Sequence, residues 1–330
     1  MRPALLDRLA AGGSFFWTAS VGAIGYAMVL LCLWRCRVEF HQANNFYVLV
    51  WTMAAGDCVM LLAQYVVSVP LSLSGLPLYG TGPLLTSLAQ LDHVAFRVCV
   101  FSSFTIGLNR LLCFVRPRLQ HALFDGRRVY CWPAFILAAS LAVLALDWAN
   151  GWRHTFHHDR FFFAARRVNL SAAQLEFLRS SGLEAMYWAV AVCIMKAPFV
   201  NLAMYTLTYV YVRVRLRAKT QPLNQSSASN QLERKFLLQG LCINLFTILE
   251  SSAFLYSTQI YNFGCQQLGN CVLGGLLISN LVILNSAVNP YIFLAFNRAL
   301  KVKVKQLLGI APAQVGTVNI VSARLDKAKT

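Results

Sequence analysis

Five charged or titratable side chains stand where a charge is least expected, inside long apolar runs: Asp92, His93 and Arg97 in one run, Lys196 in a second and Glu250 in a third. A charge in such surroundings is costly unless it meets an opposite charge, a hydrogen-bonding partner or a ligand. His93 and Arg97 are four residues apart and share one helix face. Two readings stay open. In one, Asp92 or Glu250 neutralises Arg97 or Lys196 inside the protein. In the other, all five build a polar pocket for a small molecule, and the mixture of signs suits zwitterions, acids and amines alike. A second set comprises Asp57, Asn285 and Asn289. The two amides are four residues apart on one face, where they reach partners on neighbouring helices, and a lone buried carboxylate requires partners or a cation. Pro290, directly after Asn289, removes a backbone hydrogen bond and forces a kink. The stretch His154-Thr-Phe-His-His-Asp159 carries donors at a spacing that metals use. With no second set of ligands it reads as a solvated loop, and no metal is expected. The spans hold no Ser-His-Asp set, His-rich cluster or paired-carboxylate motif, so no enzyme is expected.

The elements that position these residues follow from composition. Of 330 residues, 58% are hydrophobic and 12% charged, far from the roughly 25% charged residues of a soluble domain. Uncharged runs such as Ser14 to Trp34 and Ser251 to Phe296 exceed the roughly 18 residues that span a bilayer. They are continuous and show no alternation, which favours helices over a barrel. The expected fold is an all-α seven-helix membrane bundle, with spans near Ser14 to Trp34, Phe46 to Leu73, Thr86 to Val115, Val129 to Trp148, Leu183 to Val212, Arg234 to Thr258 and Cys271 to Phe296. Around it lie an outer segment 1–13, a membrane-surface helix 297–308 and a tail 309–330. In that surface helix Phe296, Leu300, Val304 and Leu307 recur at helical spacing, with basic residues on other faces for anionic lipid.

The formal charge of +17 is sorted by loop, which excludes a nucleic-acid reading. With the amino terminus outside, the inner segments hold 19 Lys and Arg, against 2 in the amino-terminal segment and 5 in the long second outer loop. The positive-inside rule favours that orientation at the plasma membrane. It leaves the sequon at Asn169 outside and open to glycosylation, and the one at Asn224 inside. The first span acts as signal anchor. Thr220 to Asn230 reads as a flexible inner connector. Of the ten cysteines, Cys265 and Cys271 look outward and either close a small ring or remain thiols.

Asn-Ser-x-x-Asn-Pro in the seventh span, Arg110 at the inner end of the third, Asp57 in the second, Trp132 in the fourth and Pro198 in the fifth together resemble the rhodopsin-like G-protein-coupled receptors, over roughly Ser14 to Leu308. The resemblance implies a receptor that binds a small extracellular ligand and activates a heterotrimeric G protein. It implies that Asp57, Asn285 and Asn289 form the polar cluster that holds a sodium ion in the family. Arg110 then contacts the G protein, and Glu233 either pairs with it at rest or is a solvated charge. Asn289, Pro290 and Phe293 belong to the same switch. Asp92 occupies the place where amine receptors keep their ammonium-binding carboxylate.

Departures from the family pattern are specific. Asn109 replaces the acid before the arginine, Phe293 replaces a tyrosine while Tyr291 sits two residues earlier, and the sixth span lacks its proline. No cysteine starts the third span or lies in the second outer loop, so the family's usual disulfide is absent. This pattern is more similar to the divergent nematode serpentine chemoreceptors, implying a chemosensory role. The alternative is a transporter or channel whose pathway Asp57, Asp92, Arg97, Lys196 and Glu250 would line. Against it stands the lack of a repeat or of paired broken helices.

Overall fold

The computed structural model describes residues 3–35, 46–80, 82–168, 170–218, 226–267 and 270–310. Seven of the described helices are long and apolar enough to cross a membrane. In such runs only a helix satisfies every backbone donor and acceptor within its own segment. The spans are Leu5–Arg35, Phe46–Ser74, Pro83–Val115, Cys131–Ala149 after a tight turn Gly126–Tyr130, Leu183–Ala218, Ser226–Leu255 and Cys271–Phe296. They form a seven-helix bundle, and the helix Arg298–Leu307 follows it.

Several boundaries differ from the sequence reading, each for a local reason. The first helix starts at Leu5 rather than Ser14, with Asp7 in its positive first turn. Arg8 there donates through Nη1 to the Ser74 carbonyl at 2.6 Å, tying the start of the first span to the end of the second. The sixth helix already includes Ser226–Asn230, which the sequence reading gave to a connector, and ends at Leu255 rather than Thr258. Tyr256 breaks it at φ −103° and ψ 16°, and a short helix Ser257–Gln266 runs on to the disulfide Cys265–Cys271.

Within the second span, Gln64–Ser68 forms a π-helical turn. Pro70 lies four residues after Val66 and has no N–H to give its carbonyl. The Tyr79 hydroxyl donates to that carbonyl instead. The wider turn shifts the helical register and turns Gln64 and Ser68 into the core.

The loop between the fourth and fifth spans is a hairpin, not a solvated stretch. Strands Trp152–His157 and Phe162–Arg167 pair antiparallel, Trp152 opposite Arg167 and His157 opposite Phe162. Its tip plunges into the bundle. Phe161 is fully buried and adopts φ 60°, a left-handed conformation that costs about 1–2 kcal/mol in a non-glycine residue. Burial of the ring, worth about 1.5–3 kcal/mol, offsets that cost. Ser279 of the seventh span donates to the Phe161 carbonyl at 2.6 Å. A Cβ on Gly275 would lie 1.7 Å from the Arg160 carbonyl oxygen, so glycine is what lets the hairpin lie against the seventh span.

Spans one and seven touch through small residues. A Cβ on Gly22 would meet the Ala287 Cα at 2.7 Å, and one on Gly25 the Pro290 ring at 2.8 Å. Such close backbone approach is how helices associate where no hydrophobic effect drives them together. Spans four and five turn large apolar side chains outward, among them Phe135, Leu141 and Leu207, as lipid contact requires. At the basic end, Asn297 caps the last helix by accepting from the Leu300 N–H at 3.1 Å, and Leu300 and Val304 pack into the bundle core.

Candidate functional site

A cavity of about 570 Å³ opens beneath the hairpin, between it and spans three to six. His93 and Arg97 of the third span border it, as do Asp147 of the fourth, Tyr187 of the fifth, Phe254 of the sixth and His154 of the hairpin. That volume is within the usual range for a small-molecule site. Arg97 forms an ion pair with Asp147, both almost fully buried. The rings of His93 and His154 stack with centroids 3.6 Å apart and planes 26° apart. Burial first, then the neighbouring Arg97, pushes the His154 imidazole down to about 3, so it is neutral at physiological pH. One ligand atom each from His93, Asp147 and His154 lies within 4.8 Å of the others. The guanidinium already bound to Asp147 is a like charge for any dication there.

Of the five intramembrane residues read as one pocket, only His93 and Arg97 border this cavity. Asp92 points away from it: its Oδ1 accepts from Gln64 Nε2 at 3.0 Å, and Ser68 donates to Gln64 Oε1 at 2.6 Å, so the π turn supplies the partners. Glu250 is fully buried and accepts from Asn285 Nδ2 at 2.5 Å. Lys196 is exposed on the outer surface of the fifth span, its Nζ 5.6 Å from the Phe199 ring centroid. The ammonium thus pairs with neither Asp92 nor Glu250.

Deeper in the bundle lies a polar chain across spans one, two, three, six and seven. Asp57 accepts from the Tyr26 hydroxyl, from Asn289 Nδ2 at 3.0 Å and from the Cys99 thiol at 3.4 Å. Glu250 Oε1, Asn285 Oδ1 and Asn289 Oδ1 are buried oxygens with no hydrogen-bond partner among the described residues. They are hard oxygen donors of the kind an alkali or alkaline-earth cation takes. Beside this chain, Asn201 of the fifth span donates to Ser103 Oγ at 2.9 Å and to Asn244 Oδ1 at 3.0 Å. Asn244 of the sixth donates in turn to the Pro198 carbonyl at 2.9 Å.

At the basic end Arg110 is half-buried, with Cys113, Tyr205 and Tyr47 as electrostatic neighbours. Asn109 Oδ1 accepts from Gln120 Nε2 at 3.1 Å, holding the short helix Pro117–Phe124 against the third span. Phe293 is buried in the apolar core, and the Tyr291 hydroxyl donates to the Val21 carbonyl at 2.7 Å. That tyrosine links spans seven and one. The Glu233 side chain, Asn169 and the Asn224 sequon lie outside the described residues.

Two participants escaped the sequence reading. Asp147 had a signal, since a lone acid in an apolar span demands a partner. Gln64 had none, because a π turn brings it in. His154 belongs to the stretch read as solvated, and the hairpin carries it to the cavity instead.

A family model described as "Serpentine type 7TM GPCR chemoreceptor Srx" matches residues 16–297. Comparison with curated proteins finds no match.

Proposed function

The chain belongs to the Srx family of serpentine seven-transmembrane GPCR chemoreceptors, and from that premise we propose that it binds a small extracellular molecule and activates a heterotrimeric G protein. The observation that carries the reading is the layout of one helix. The third span, Pro83–Val115, holds His93 and Arg97 at the cavity and Arg110 at the opposite, basic end. A molecule that changes how spans three to six pack around the cavity shifts a two-state bundle, and the basic end reads out the shift.

The orientation proposed is amino terminus outside, with the hairpin facing the extracellular medium of the plasma membrane and the basic end facing the G protein and anionic lipid. Charge sorting supports it, since the described basic residues Arg35, Arg116, Arg118, Arg127 and Arg128 cluster away from the hairpin. Arg110 serves as the G-protein contact, while Asn289, Pro290 and Phe293 form the hinge beside it. A sodium ion at the cluster of Asp57, Asn285 and Asn289 belongs to the same reading, and the partnerless buried oxygens of Asn285 and Asn289 support it. No chemical step is assigned to the protein; it works by differential binding.

The test is Arg110→Ala. Ligand-dependent G-protein activation is expected to vanish while surface expression, read by antibody labelling of intact cells, stays at the wild-type level. Coupling that survives the substitution refutes the assignment.

A further inference from the structure

The charges around the outer cavity are unequal. Arg97, Arg160 and Arg166 border it, and Asp147 is its one acidic side chain among the described residues. Asp147 is already engaged by Arg97, so little negative charge is left for a cationic guest. Arg97 itself is only half satisfied. Its Nη2 holds Asp147, but Nη1, in a side chain 2% exposed, has no hydrogen-bond partner among the described residues. A buried guanidinium nitrogen without an acceptor costs about 1–3 kcal/mol or more, and an arriving acceptor removes that cost. Arg166 is exposed at the rim and supplies a second positive group. Arg160 is drawn elsewhere, its Nε 3.9 Å from Asp159 and its guanidinium 5.1 Å from the Tyr261 ring centroid. The rest of the wall is apolar, with Val143, Ile194, Met195 and Phe254.

We infer that the cavity selects organic acids, with a carboxylate seated on Arg97 Nη1 beneath Arg166 and an apolar body against Phe254, Met195 and Ile194. One free nitrogen beside a neutralised pair suits a monoanion, since a dianion loses more hydration than one donor returns. The His154 imidazole, neutral at physiological pH, adds hydrogen-bonding capacity without adding charge. An amine finds no acid available, and a neutral ester leaves Nη1 with a weaker acceptor. The inference rests on the receptor reading above and narrows its ligand to one chemical class.

The full chain, expressed with a promiscuous G protein, is to be tested against straight-chain and aryl-substituted carboxylic acids, with the methyl ester and the primary amine of each skeleton. Acids are expected to signal, and their esters and amines to need at least about tenfold higher concentration. Two variants follow the charge. Arg166→Glu alters an exposed rim residue and leaves the buried pair alone. The double variant Arg97→Gln with Asp147→Asn removes both buried charges together and so avoids stranding either. Each is expected to raise the half-maximal concentration for acids about tenfold or more, with surface expression kept and ester responses moved far less than acid responses. Signalling confined to amines or esters, or acid responses indifferent to both variants, overturns the anion assignment while the receptor reading stands. Silence across all three classes at normal surface expression overturns both.

Discussion

Gly22→Ala adds one methyl group at the contact between the first and seventh spans. The added carbon would stand 2.7 Å from the Ala287 Cα and 2.8 Å from its Cβ, against a comfortable carbon separation of about 3.5–4.0 Å. The obstacle is backbone, so no rotamer change relieves it, and the spans must part by about an ångström. Gly25, three residues along the same face, holds the Pro290 ring equally close, so the helices cannot tilt apart at one end alone. Overpacking of this kind costs about 1–3 kcal/mol. Alanine also raises helix propensity by about 1 kcal/mol, which would hide part of the loss. Gly13→Ala, in the same helix with nothing within 4 Å of the new carbon, carries that gain without the clash. The difference between the two variants therefore isolates the contact. At about 2–4 °C per kcal/mol for a chain of this order, Gly22→Ala should unfold about 2–12 °C below Gly13→Ala. A thiol-reactive dye read during heating in detergent suits the measurement, because the buried Cys99 thiol becomes reactive only as the bundle opens. Equal midpoints would refute the claim that backbone contact fixes the distance between these spans.

Other perturbations separate the remaining claims. Asn244→Ala deletes two interhelical hydrogen bonds, one to Asn201 and one to the Pro198 carbonyl, and should cost about 1–3 kcal/mol; an unchanged unfolding midpoint would refute their contribution. His154 is held neutral with its pKa lowered to about 3, so the unfolded chain takes up the proton first as pH falls below about 6.5. Stability from that group is full above pH 6.5 and falls on acidification, by about 2 kcal/mol at pH 5. His154→Phe should flatten the dependence of the midpoint between pH 7 and 5, and a slope that persists counts against it. Orientation is read from mass: Asn169→Gln should remove a deglycosylation-sensitive shift that Asn224→Gln leaves intact, and the reverse pattern inverts the topology.

The seven spans were legible because uncharged runs of that length admit few structures in a bilayer. The polar chain of Asp57, Asn285 and Asn289 was legible too, since each group is costly unless partnered. What the sequence hid was the face each charge takes. Lys196 lies two residues before Pro198, and near a proline the simple helical period no longer says where a side chain points. Its ammonium lies on the outer surface rather than in the pocket. Asp92 reached an unexpected partner for a similar reason, because a π turn rotated Gln64 toward it. The hairpin was the largest omission. Its one apolar run, Phe161 to Ala165, is too short to announce a span, and its landing on Gly275 and Ser279 of the seventh span turns His154 inward over His93.

In the proposed receptor, that hairpin also determines where news of an occupied cavity can travel. The chamber draws its walls from the hairpin, from spans three to six and from the short helix after the sixth, while the Asn-Pro kink belongs to the seventh. Besides the disulfide Cys265–Cys271, two side-chain hydrogen bonds among the described residues cross the gap and act as handles. One is deep, where Glu250 of the sixth span grips Asn285; the other is shallow, where Ser279 holds the carbonyl of Phe161. A guest that lifts the hairpin pulls on the upper handle, and one that shifts the sixth span pulls on the lower. Compounds of one chemical class but different length could therefore tug the same hinge from opposite ends, and partial responses would follow from geometry rather than from weak binding.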